Sequence, residues 1–497
     1  MMFMVPHSMF SQIPDVPPPP PPPPPPMEIP PPPPPAAPSM TESSHYSLHF
    51  GDENGKTKIQ YKSNGIGLKI EYEGEVNVSD DETDIIGLTN GGYFYIQKSA
   101  FGSKRKIKIE TDRSGHLIKE YYVGRKKKDF NPEGKRWLKE ILPEVLRSTT
   151  IAAPNRVNKF YNQGGVNRVI AEIEKMDSDH VASTYYQLLL NKEIKNQEYS
   201  TILKSAGKMI DSDHYLAEVL MNNHIACFSE PYMVEAFIGA SAEINSDHYM
   251  TEVLKKVIHN ADVTDAQVSS LLKISEDIDS DHYLSVVLMD VLEERDMTDT
   301  NISTIIELSD EISSDHYKSE VLKEVLTKKN LSKQAMQSFV KSISDIGSDH
   351  YITEVILHMS RNVVDNDGLV ELFDVLADNV SSDHYMAESL KKIISRNTLD
   401  DSSFKALTIA MQEINSDHYL IEVFAKAAGQ RDLSSTQVVD LIETLDDINS
   451  DSYTAEGLLA ILDRVLELGG QTLQAYKSMA KQINSDSHYR RVMRALD

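Results

Sequence analysis

Histidine recurs at 180, 214, 248, 282, 316, 350, 384 and 418, each directly after an aspartate, and again as His488. In six copies a glutamate follows four residues on: His214/Glu218, His248/Glu252, His316/Glu320, His350/Glu354, His384/Glu388 and His418/Glu422. Positions i and i+4 share a helix face, so each pair could chelate a metal ion. Each repeat offers only two or three ligands, however, and packed helices lie roughly 10 Å apart. Zinc needs its ligands at about 2 Å, and no His-Glu-x-x-His motif occurs. No metal and no other cofactor is therefore expected.

The same residues fit a structural ladder better. Aspartate and histidine of consecutive repeats would hydrogen-bond across the junction, with the tyrosine packed beneath. Its members are Asp213, His214, Tyr215, Asp247, His248, Tyr249, Asp281, His282, Tyr283, Asp315, His316, Tyr317, Asp349, His350, Tyr351, Asp383, His384, Tyr385, Asp417, His418 and Tyr419. Histidines with an ordinary pKa near 6.5 would make stability shift between about pH 5 and 7.5.

Other candidates are weaker. Asp365-Asn-Asp-Gly368 has some of the look of a calcium loop but lacks the remaining ligands and the closing glutamate, and it falls where each repeat has its inter-helix loop. Ser79-Asp-Asp-Glu-Thr-Asp84 reads as an acidic turn between strands. There is no Gly-x-Ser-x-Gly elbow, phosphate-binding loop or dinucleotide fingerprint. No catalytic residue is assigned, and the chain is not expected to be an enzyme.

The elements that carry the signature are set by its period. Its aspartate recurs at 179, 213, 247, 281, 315, 349, 383, 417, 451 and 486, at 34-residue intervals until a last one of 35. Such regularity marks a stacked array. In residues 246–279, Ser246 is placed to cap a helix whose first turn holds Asp247. Tyr249, Val253, Leu254, Val257 and Ile258 give that helix one apolar stripe. Thr264 with Gln267 forms a capping box for a second helix, with Val263 and Val268 as its staple and Leu271, Leu272 and Ile274 along it. Ser434 with Gln437 repeats the box, and Leu331-Ser332 with Met336 repeats the staple. No proline lies beyond Tyr232. The fold class is therefore mainly α: an α-solenoid of about ten 34-residue helical hairpins, HEAT-like because the tetratricopeptide pattern is absent. Terminal copies degrade: Val181 replaces the tyrosine, Ser452 the histidine, and Ser487 is inserted before His488.

Upstream lie three further segments. Residues 1–44 form a proline-rich linker, with Pro17 to Pro26 and Pro30 to Pro35 unbroken, read as a polyproline II spacer. Residues 45–130 read as a small antiparallel β domain of about six strands. Alternating runs at Lys58–Lys62, Gly67–Tyr72 and Gly92–Gln97 are divided by Asn54-Gly55, Asn64-Gly65, Asn90-Gly91 and Ser114-Gly115. Basic clusters at Lys104–Lys106 and Arg125–Lys128 fall on its later strands and turns. Residues 131–163 are connecting helix. Pro132 opens a helix over about 132–147 whose apolar side, Trp137, Leu138, Ile141 and Leu142, is placed to cover the sheet. The repeats fill 164–497.

Net charge is −26, and its distribution is uneven. Residues 1–163 hold 21 basic and 19 acidic side chains, whereas 164–497 hold 29 and 57. The acidic repeats repel a phosphate backbone, which argues against nucleic acid as partner and suits a protein or peptide. Cys227 is the only cysteine, so intrachain disulfides are excluded. No segment has the apolar length of a membrane span. The start has no basic n-region or apolar core of a signal peptide. As written this implies a cytoplasmic protein, and a periplasmic one if a signal or anchor lies upstream.

Ser79 to Ile85, Gly91 to Ile96, Lys106 to Ile109, Glu120 to Tyr122, Trp137-Leu138, Ile151 to Pro154, Gly164-Gly165 and Met176 to Asp179 carry a resemblance. Together with the proline tract, residues 45–497 resemble the C-terminal region of bacterial membrane metallopeptidases of the beta-lactam-sensing antirepressor type. The membrane helices and zinc-binding His-Glu-x-x-His of that family are missing, so no catalytic residue carries over. The resemblance implies a sensory or partner-binding module. The leading expectation is a non-enzymatic interaction scaffold. The alternatives are a detached regulatory part of a membrane metallopeptidase system and a cell-envelope structural protein.

Overall fold

The computed structural model describes residues 44–49, 56–63, 66–222, 228, 230–294, 297–327, 331–358 and 365–496. The proline runs, Asn54-Gly55, Asn64-Gly65 and Cys227 lie outside the described residues. Chain contacts define two bodies that meet in sequence at Glu294/Arg295, and each is considered by itself.

The first body opens with β1 (Ser44–His49), β2 (Lys56–Ser63), β3 (Ile66–Glu73), β4 (Val76–Val78), β5 (Ile85–Leu88), β6 (Tyr93–Ala100), β7 (Ser103–Thr111), β8 (Leu117–Val123) and β9 (Lys126–Lys128). Seven strands pair antiparallel in the order β1-β2-β3-β6-β7-β8-β9, and β4-β5 form a separate ribbon. The expected six strands are thus seven plus two. Phe101-Gly102 and Gly124, which reverse the chain between β6 and β7 and between β8 and β9, carry no Asn-Gly signal.

Alternation along the strands buries Ile70, Phe94, Ile96, Ile107, Ile109 and Tyr121 on one face. α1 (Lys135–Ser148) covers that face, and Trp137, Leu138, Ile141, Leu142, Val145 and Leu146 join the same core. Its start is later than the sequence suggests. A turn at Phe130–Gly134 with a cis Asn131–Pro132 bond comes first, and Asn131 is extended there, so Pro132 precedes the helix instead of opening it.

α2 (Ala153–Ile173) bends at Gly164-Gly165, where Gly165 takes φ +65. The boundary read at residue 164 falls at this kink, where Gly164 and Gly165 leave helical geometry, and the segment after it carries the buried Val166, Val169 and Ile170. Then come α3 (Asp179–Leu190), α4 (Asn196–Met209), α5 (Asp213–Met221), α6 (Pro231–Ser241), α7 (Asp247–Asn260), α8 (Asp265–Ser275) and α9 (Asp281–Glu294). Signature helices pack on signature helices (α3 on α5, α5 on α7, α7 on α9). Their partners form a second layer, α4 on α6 and α6 on α8.

The second body repeats this arrangement. It contains α10 (Asp299–Ser309), α11 (Asp315–Val325), α12 (Lys333–Ser344), α13 (Asp349–His358), α14 (Asn366–Asn379), α15 (Asp383–Arg396), α16 (Asp401–Gln412), α17 (Asp417–Ala428), α18 (Ser435–Glu443), α19 (Asp451–Leu468), α20 (Gly470–Ala480) and α21 (Asp486–Ala495). Among the described residues the fold is mainly helical, with 21 helices in a repeat arrangement and a small antiparallel sheet domain before them. The tenth signature copy is one helix, α21, not a hairpin, among the described residues.

Candidate functional site

The signature serine stands at the N-cap of its helix, yet its hydroxyl does no capping. At Ser246, Ser382 and Ser416 ψ is 117, 116 and 115, and no side-chain cap bond forms. The residues that do cap the second-layer helices have wider ψ: Thr264 at 161, Ser332 at 161 and Ser434 at 162. That rotation brings the side-chain oxygen over the N3 amide. Thr264/Gln267 and Ser434/Gln437 complete reciprocal capping boxes. Asp365, the calcium-loop candidate, is the cap of α14 and accepts from the Gly368 amide at 2.9 Å.

The signature aspartate works between repeats. Asp179 accepts from the Ser212 amide at 2.8 Å, Asp213 from Asn245 at 3.0 Å and Asp247 from Ser280 at 2.9 Å. In the second body Asp315 accepts from Gly347, Asp349 from Ser381 and Ser382, and Asp383 from Asn415. Asp417 takes both Asn449 and Ser450, and Asp451 takes Asn484 and Ser485. A carboxylate accepting backbone N–H groups fixes the start of the next signature helix. These partners are peptide N–H groups at the start of the next signature helix, where the sequence suggests an aspartate–histidine bond.

Histidine instead packs on tyrosine. The His214 ring lies 5.1 Å from that of Tyr215 and 5.5 Å from that of Tyr249, and His248 repeats this with Tyr249 and Tyr283. His282 lies against Tyr283. In the second body His316, His350 and His384 each sit between their own tyrosine (Tyr317, Tyr351, Tyr385) and the next. His418 ends the column on Tyr419 and Tyr453. Nδ1 of His214 is 3.0 Å from the Tyr249 hydroxyl. Burial pushes the hydroxyls of Tyr249, Tyr283, Tyr351, Tyr385 and Tyr419 above their ordinary pKa. It holds the His180 ring below its ordinary value.

The glutamates of the signature helices are also engaged. Lys323 joins Glu320 and Glu354 at 2.5 and 3.0 Å, and Lys391 joins Glu388 and Glu422 at 2.7 Å each. No three His, Cys, Asp or Glu side chains converge as metal ligands among the described residues.

Two polar clusters escaped the sequence reading. Arg156 of α2, 3% exposed, donates to both carboxylate oxygens of Glu82, to Glu172, to the Leu146 carbonyl and to the Tyr185 hydroxyl. Glu82 belongs to the acidic stretch read as an unremarkable turn. At φ +56 it reaches from the sheet domain to the first part of α2, where Lys159 also binds it. Burial pushes the Glu82 carboxyl up, but bonds and charge from Arg156 and Lys159 outweigh this and hold it below its ordinary range. Glu172 is likewise held low despite burial, by Lys175, Arg156 and Arg147. The Tyr185 hydroxyl is pushed up to about 12 by burial. In the second body Lys318 is 2% exposed at a position where other copies hold Met250, Leu284, Ile352, Met386 or Leu420. Its ammonium reaches Asp310 at 2.9 Å.

The second-layer face near the end of the second body forms an open groove of about 690 Å³. Gln412 of α16, Glu443 of α18, Asp446 and Asp447 after it, and Gln471, Gln474 and Ser478 of α20 line it, with Val439, Ile442 and Met479 at its floor. Sequence reasoning missed it because these residues vary from copy to copy.

No family model matches the chain, and no curated protein matches it. Among solved structures it is similar to a chain from the computational design of self-assembling cyclic protein homooligomers. Identity there is 11% over 70% of this chain and 92% of that one, with a TM-score of 0.12. It is also similar to a circular tandem repeat protein with a novel repeat topology, at 13% identity over 73% and 78%, TM-score 0.13. At such scores the fold rests on the helices and strands described above.

Proposed function

We propose that this chain is a non-enzymatic interaction scaffold whose second-layer groove holds an extended, lysine- or arginine-rich segment of a partner protein. The observation that carries this reading is the groove between α16, α18 and α20. Three carboxylates, Glu443, Asp446 and Asp447, share its lining with four glutamine amides, Gln412, Gln471, Gln474 and Gln482, over an apolar floor. Amides bond the backbone of an extended chain, carboxylates its cationic side chains, and the floor its methylene stems.

The signature supports the same reading from the other side. Its aspartates are occupied by backbone amides and its histidines by tyrosine rings, so the repeated residues hold the stack together and recognition falls to positions that vary. The Arg156 network ties the sheet domain to the first repeats, consistent with the sensory or regulatory module that the family resemblance implies. The test is affinity capture with the full chain, alone and with Glu443→Lys, Asp446→Lys and Asp447→Lys combined. A partner retained by the first and lost by the second, at equal melting midpoints, supports the proposal. Equal capture by both contradicts it.

A further inference from the structure

Phe101 is 86% exposed at the two-residue turn between β6 and β7. It takes φ +45 and Gly102 takes φ +80. Two left-handed residues in such a turn favour Asn-Gly or Gly-Gly, and a bulky side chain there is strained. Neither the turn nor the core calls for a phenylalanine, so its strain and exposure want another explanation.

The surroundings supply one. The Gly124 amide donates to the Lys104 carbonyl at 2.7 Å, which fixes the β8–β9 turn beside the β6–β7 turn. Arg105 pairs in register with Val123, and Val123 with Lys126. Val123 is itself 38% exposed. Lys104, Arg105, Arg125, Lys126 and Lys128 are exposed and make no ion pair among the described residues. Nearby cations behave differently: Lys98 pairs with Glu144, Lys127 with Glu120, and Lys106 lies over the Tyr122 ring. Register even sets Lys98 opposite Arg105, a like-charge pair that costs stability. From Lys98 to Lys139 the chain carries fourteen basic and five acidic residues, within a protein of net charge −26.

We propose that this end of the sheet is a peripheral docking site for an anionic lipid surface. Phe101 and Val123 enter the boundary between headgroups and acyl chains, and the five free cations meet the headgroup phosphates and carboxylates. A projecting apolar tip ringed by cations fits a deformable interface. Single-stranded nucleic acid would require several aromatic platforms for successive bases; at this rim Phe101 projects into solvent, whereas the Tyr122 ring is already covered by Lys106. The acidic remainder of the chain is repelled by the same surface, which confines contact to the tip and makes it sensitive to salt.

Co-sedimentation of the full chain with phosphatidylcholine vesicles, with and without phosphatidylserine, tests this. Binding is expected only with phosphatidylserine, and high salt should abolish it. Lys104→Gln, Arg105→Gln and Lys126→Gln together should weaken it by about a hundredfold, at about fivefold for each cation. Phe101→Gly relieves the turn, so it should raise the melting midpoint while weakening vesicle binding. Phe101→Trp should shift its emission to the blue on vesicles, against a Trp137 that is already buried. Equal sedimentation with both vesicle types, binding untouched by these variants, or preference for a single-stranded oligonucleotide over vesicles would each overturn the proposal. Partner capture by the groove should be unchanged in Phe101→Gly, which separates this test from the scaffold reading.

Discussion

Arg156 grips both carboxylate oxygens of Glu82, a residue 74 positions earlier, at 3.1 and 3.2 Å. The guanidinium is almost wholly removed from solvent, and Glu82 and Glu172 offset the cost of burying its charge. Replacing Arg156 by alanine leaves Glu172 buried with weaker partners. The expected loss is about 3–5 kcal/mol, read as a lower midpoint in thermal or urea unfolding. Glu82→Gln keeps the shape and should cost less. Equal costs for both would show that charge is not what binds the junction.

The same junction sets an acid limit. Glu82 and Glu172 have folded pKa values below the ordinary 4.5, so the folded state holds fewer protons than the unfolded one. Their stabilisation is complete above about pH 4.5 and is lost as pH falls further. His180 adds an earlier loss. Its folded pKa lies below 6.5 through burial, so the unfolded state takes up protons first and stability declines as pH drops below that value. His180→Asn should flatten the curve near pH 6 and leave the fall below pH 4.5. Midpoints measured across pH 3 to 8 test both parts.

Asp417 holds the Asn449 and Ser450 amides at 3.2 and 2.9 Å. Asp417→Ala leaves two N–H groups at a repeat junction without their acceptor and should cost about 1.5–3 kcal/mol. Asp378→Ala, on an exposed helix position, should stay within about 0.5 kcal/mol. Comparable losses would mean that the rung contributes little beyond a solvated charge.

Gly457 makes the opposite kind of test. Val219, Val253, Val321, Val355 and Val423 occupy its position in other copies, so valine is the common choice. Here, however, an added Cβ would lie 2.6 Å from Leu445 Cδ2 and 3.0 Å from Ile421 Cδ1. Gly457→Val should therefore destabilise by about 1–3 kcal/mol. A stabilised variant would show that the neighbours repack freely.

What could be read in advance was whatever depends on residues close in sequence. The 34-residue period, the Thr264/Gln267 and Ser434/Gln437 boxes and the apolar side of α1 are all local patterns. The signature's role was half legible: its residue types pointed to a ladder, but whether Asp417 meets a histidine or a peptide N–H depends on a helix start 33 residues away. Glu82 was invisible as a ligand because Arg156 is 74 residues off and nothing in an acidic turn announces it. Lys318 stands where the pattern calls for an apolar residue, and that substitution is the one signal that could have been followed. Phe101-Gly102 was passed over because its turn lacks the usual asparagine.

The central claim is that the signature builds the stack while variable groove residues bind. Affinity capture from one lysate, with the full chain, its Glu443→Lys/Asp446→Lys/Asp447→Lys variant and its His384→Gln variant side by side, tests it most directly. The account predicts one partner set retained by the parent and by His384→Gln and lost by the groove variant, with all three folded by circular dichroism. Capture that survives groove reversal and vanishes with His384→Gln, or nothing above background for the parent at low salt, would contradict it.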